Sequence, residues 1–151
     1  MKTKEENYAE VSYNPFLHAV VVKWKDVDTL NECQLALNAV IETLMCFNSK
    51  KVISDFSFGK TFSGVVTDWM KVEFIPKLMS NGVRKLALLV ENANMSSYFR
   101  QKLSKDANSM GEVLKLFYNR SEMEGWLRDY ELIPKPALQN VEDAARFGYF
   151  L

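Results

Sequence analysis

The stretch Arg84-Lys85-Leu86-Ala87-Leu88-Leu89-Val90-Glu91 decides the fold. Residues 86–90 are the longest continuous apolar run in the chain. A strand with one wet face alternates apolar and polar residues. One that is apolar at every position is covered on both faces, as in the middle of a parallel sheet. Asn81-Gly82 just upstream is a helix stop. Before it, Val66, Trp69, Met70, Phe74 and Leu78 mark a helix from about Ser63 to Asn81. Pro76 lies inside that helix; it lacks an N–H and clashes with the preceding turn, which predicts a kink or a fresh helical start.

Further upstream, Val52 and Ile53 through Phe56 form a short strand. Leu30, Cys33, Leu37, Val40, Ile41, Leu44 and Phe47 form the apolar stripe of a long helix. Asp28 or Thr29 caps it, and Asn48-Ser49 ends it. Tyr8 to Tyr13 alternates with period two, Asn14-Pro15 is a turn signal, and Phe16 to Lys25 is a second Val-rich strand; the pair reads as an antiparallel hairpin. Downstream, Ser96 or Ser97 opens a third helix, and Val113 to Tyr118 is a last strand. Ser121-Glu122-Met123-Glu124 is a capping box for a final helix carrying Trp126, Leu127 and Tyr130. The order β-β-α-β-α-β-α-β-α predicts an α/β domain over residues 1–130. Its sheet is mixed and mostly parallel, with about five strands. Pro134 and Pro136 mark the boundary of a C-terminal extension, 131–151, which ends Phe147-Gly148-Tyr149-Phe150-Leu151.

Composition limits the function. Nineteen Lys and Arg balance nineteen Asp and Glu, so the formal net charge is zero. A phosphate-contacting nucleic-acid binder or a polybasic membrane-surface protein would carry a basic excess. No apolar run approaches the roughly 18 residues of a membrane span. Met1 to Asn7 is polar, without the apolar core of a signal peptide. A cytoplasmic protein with no nucleic-acid partner and no membrane span is expected. Cys33 and Cys46 would lie roughly 20 Å apart along one helix, too far for a disulfide. They are expected as reduced, core-facing thiols. One His and two Cys make no metal site.

The segment from Asp55 to Gly64 holds most of the polar and aromatic side chains suited to binding. Open α/β sheets place their sites beyond the carboxyl ends of the strands. Asp55 is expected to form an Asx turn. Ser63 at a helix start is expected to cap it, and a phosphate there would also be favoured. Ser57, Thr61 and Ser63 are therefore candidate phospho-acceptors. Gly59-Lys60-Thr61 sits in a P-loop context, but the Gly required five residues earlier is Ser54, which argues against a nucleotide hydrolase. His18 is expected as a structural histidine with a satisfied hydrogen bond. Trp24, Trp69 and Trp126 are expected in the core. Of these Trp69, beside Phe58 and Phe62, has the best claim to an exposed role.

Four stretches resemble the small bacterial STAS-like proteins, which share the anti-sigma-factor-antagonist fold and are grouped with CRAL-TRIO-type lipid-binding domains. They are Val20-Val21-Val22-Lys23-Trp24-Lys25; Lys50-Lys51-Val52-Ile53-Ser54-Asp55; Asp68-Trp69 followed by Phe74-Ile75-Pro76 and Gly82 to Ala87; and Phe117 followed by Glu124-Gly125-Trp126-Leu127. The resemblance covers about residues 7–130 and implies a module that works by association. In classical members an Asp precedes the phosphorylated Ser of the loop; here that position is Phe62, so the phospho-switch does not carry over. The expectation is a non-enzymatic binding or regulatory module without cofactor or metal. Its candidate surface for a protein partner or ligand is Asp55, Ser57, Phe58, Phe62, Ser63 and Trp69. The aromatic tail offers a route to a homodimer. A carrier or sensor of an apolar, lipid-like ligand is the alternative.

Overall fold

The computed structural model describes residues 4–58, 62–91, 101, 104–105 and 111–128. The expected helix beginning at Ser96 or Ser97 and the C-terminal extension lie largely or wholly outside them. The described strands are β1 (Lys4–Glu5), β2 (Ala9–Asn14), β3 (Ala19–Trp24), β4 (Lys51–Asp55), β5 (Lys85–Leu89) and β6 (Leu114–Phe117). They form one sheet in sequence order. Pairs β1–β2 and β2–β3 are antiparallel; β3, β4, β5 and β6 are parallel.

The mixed, mostly parallel sheet agrees with the sequence, with one strand more than expected. β1 has two exposed charged residues and no apolar alternation, so it leaves no periodic signal. It exists because Lys4 and Glu5 pair with Val11 and Glu10. Charged side chains also suit an edge strand, since they discourage pairing with other chains.

Crossovers of one hand that always step in the same direction put their helices on one face. The core is arranged accordingly. Across the sheet Tyr13 pairs with Val20, Val20 with Val52, Val52 with Leu86, and Leu86 with Leu114. All belong to the large core under α1 (Leu30–Phe47) and the broken helix that follows β4. Val21, Ile53, Ala87 and Leu89 point to the other face. There they meet Met123 and Leu127 of α4 (Arg120–Leu127). β5 is buried along its whole length, as a doubly covered strand must be.

Helix α1 starts on a reciprocal capping box. Thr29 Oγ1 accepts the Glu32 amide at 3.2 Å, and Glu32 Oε1 accepts the Thr29 amide at 3.0 Å. It ends at Asn48, which is left-handed with φ 49°. Cys33 is buried as expected, but Cys46 is exposed: it falls outside the buried set Cys33, Ala36, Leu37, Ala39, Val40 and Leu44.

The expected helix over 63–81 is three segments: α2 (Gly64–Trp69), a π-helical turn (Met70–Phe74) and α3 (Ile75–Ser80). Pro76 stands in the first turn of α3, where no N–H is needed, and the widened turn before it is closed by Ile75 N–H donating to Met70 O. The final helix starts earlier than the Ser121 capping box predicts. Asn119 is the cap, its side chain accepting the Glu122 amide at 3.2 Å. Asn caps at least as well as Ser, and the strand ends only two residues earlier. His18 sits in the hairpin turn, left-handed at φ 53°, rather than at the start of a strand. Its Nδ1 bonds the Tyr13 hydroxyl, and Tyr13 stacks on Phe47.

Candidate functional site

The parallel strands bring their carboxyl ends to one edge of the sheet. Asp55 is the last residue of β4, Glu91 lies two residues beyond β5, and Arg120 opens α4 after β6. The Asp55 side chain is 0% exposed. Its Oδ1 accepts the Ser57 amide at 2.9 Å, the expected Asx turn. Its Oδ2 accepts from Arg120 Nη2 at 3.2 Å, and the same nitrogen reaches Glu91 Oε1 at 3.2 Å. Burial works against the guanidinium charge, but the hydrogen bond and charge of Asp55, with Glu91 added, hold the Arg120 pKa above its ordinary value.

The remaining residues divide by burial. Phe58 is 61% exposed, under the Lys23 ammonium at 5.4 Å from its ring centroid. Lys23 is itself paired with Glu10 at 3.5 Å. Ser63 is exposed; its Oγ accepts the Val66 amide at 3.3 Å, so its hydroxyl caps α2. Phe62 and Trp69 are not surface residues: they are 6% and 8% exposed. Phe62 packs edge-on against Phe56, and Trp69 packs at a tilt against Phe74. Trp24 joins this aromatic layer through Phe56 and Phe74, and its indole N–H donates to Ser54 Oγ at 2.9 Å. A loop that folds back onto the sheet buries whichever aromatics face inward, and only Phe58 faces out.

Ser57 Oγ is buried and has no hydrogen-bond partner among the described residues. Of the candidate phospho-acceptors, then, Ser57 presents no accessible hydroxyl here, Ser63 caps a helix, and Thr61 lies outside the described residues. The P-loop-like Gly59-Lys60-Thr61 also lies outside them.

Arg120 and Glu91 are the members of this cluster that sequence reasoning missed. Each falls just past the end of a strand or opens the element that follows it. That shared position is a signal, but only once the strands are known to be adjacent and parallel. Among the described residues no group of three or more His, Cys, Asp or Glu side chains is placed to hold a metal ion. No described helix is long and apolar enough to cross a membrane.

The sequence matches no protein-family model and none of the curated proteins.

Proposed function

We propose that this is a STAS-like, non-enzymatic cytoplasmic module that works by associating with a protein partner. The partner docks on the loop after β4 and the outer side of the helix that follows. The observation that carries this reading is the contrast between an anchored loop and its exposed apolar side chains. Asp55 fixes the loop backbone, while Phe58 in the loop, Val65 in α2 and Val72 in the π-helical turn stand in solvent. Apolar side chains held in place by a rigid frame lose little conformational freedom on binding. The space between the sheet and α2 is filled by Trp24, Phe56, Phe62, Trp69 and Phe74, which favours surface association over an enclosed ligand. The zero net charge leaves partner choice to local shape rather than to long-range steering.

The test is cross-linking and isolation of the chain from its own host, with Phe58→Asp and Val65→Lys variants alongside. Loss of one specific protein from both variants, with unchanged thermal stability, supports docking here. Retention of that protein by both variants refutes it. An apolar molecule copurifying in native mass spectra, with no protein, replaces it with a carrier.

A further inference from the structure

Asp55 divides its carboxylate between two segments. Oδ1 holds the Ser57 amide inside the loop, and Oδ2 holds Arg120 at the start of α4. The side chain has no exposure, so it has little room to satisfy the two partners independently. Both hydrogen bonds are directional, and each holds the carboxylate in the orientation that the other requires. The Ser57 hydroxyl finds no partner among the described residues, so the loop is held there through its backbone. Helix α4 has eight residues, too few to be stable alone, and its order depends on ties to the sheet.

We propose that Asp55 couples the loop to α4, so that a partner ordering the loop through Phe58 also firms the first turn of α4, and loss of the α4 tie loosens the loop. A coupling of this kind is reciprocal, because each segment biases the same carboxylate. Its regulatory use rests on the docking reading, but the coupling itself is measurable with no partner present.

The experiment is amide hydrogen exchange on the full chain at residue resolution. In Arg120→Gln the Ser57 amide exchanges about tenfold faster, together with the α4 amides, while Ile53 in β4 is unchanged. Lys85→Met loosens α4 from its other end without touching Asp55. It speeds the α4 amides and leaves Ser57 as in the wild type. Ser57→Pro removes the donor to Oδ1, and speeds the α4 first-turn amides. Arg120→Lys, which keeps the charge, restores most of the Ser57 protection, and it carries the comparison if Arg120→Gln does not fold. Unchanged Ser57 exchange in Arg120→Gln overturns the coupling. So does an equal acceleration in Lys85→Met, which would mean general loosening. Failure to find a partner overturns the docking reading and leaves this result standing.

Discussion

Lys85 Nζ lies 2.7 Å from the carbonyl oxygen of Trp126 and 4.7 Å from the centroid of its indole ring. Lys51 makes the matching contact with the Leu127 carbonyl at 2.6 Å. The first residues of two parallel strands thus satisfy the last carbonyls of α4, where a cation also complements the helix dipole. Arg120 ties the other end of α4 to the far ends of the same strands. The helix therefore runs antiparallel to them, fastened at both ends.

Lys85 is a charged residue only 6% exposed, and the contacts with α4 explain how it is tolerated. Lys85→Met keeps most of the apolar stem of the side chain and loses the charge-assisted bond. A loss of about 1 kcal/mol is expected in urea unfolding followed by fluorescence. Lys85→Glu sets a carboxylate against those carbonyls and costs at least twice as much.

At the other end the two acidic partners of Arg120 differ. Asp55 is buried, so Arg120→Gln strands its carboxylate and costs about 2 kcal/mol. Glu91 is partly exposed, and Glu91→Gln changes stability by less than about 0.5 kcal/mol. Equal losses in the two variants would show that burial does not separate these carboxylates. Denaturant midpoints measured at one ionic strength decide the point.

His18 makes stability depend on pH. Burial first, and then the nearby Lys51 charge, lower its pKa from the ordinary 6.5. A base whose folded pKa is depressed binds protons more readily when unfolded. Its favourable contribution is full above about pH 6.5 and is lost as pH falls from there through the folded pKa. His18→Asn tolerates the left-handed backbone and removes the titration. Urea midpoints should fall between pH 7.5 and pH 5.5 in the wild type, with a smaller fall in the variant. Parallel falls would assign the effect to carboxylates.

The two thiols should react very differently. Cys46 is exposed, whereas burial first and then Glu32 push the Cys33 thiol up to about 11. The thiolate is the reactive form. One equivalent of a thiol reagent should add quickly to the folded chain, and peptide mapping should place it on Cys46. The second should follow only on unfolding. Rapid labelling of Cys33 would mean that α1 opens readily.

Much of this architecture is legible in the sequence, because hydrophobic period and turn chemistry are local. The unbroken apolar run at 86–90 marks a strand covered on both faces; the stripe from Cys33 to Leu44 marks α1; Pro76 and Gly82 mark where helices restart and stop. Asp55, Phe58 and Ser63 are also legible, since they end a strand, follow it or cap a helix. What the sequence could not determine was pairing across distance. That Asp55, Glu91 and Arg120 meet depends on β4, β5 and β6 lying side by side with the same polarity. That Phe62 and Trp69 are buried while Phe58 is exposed depends on how the loop folds back over Trp24 and Phe56. Periodicity records which residues avoid water. Only tertiary packing decides which partners they and the charged groups between them find, because the ties among the strand ends and α4 join positions 29 to 76 residues apart.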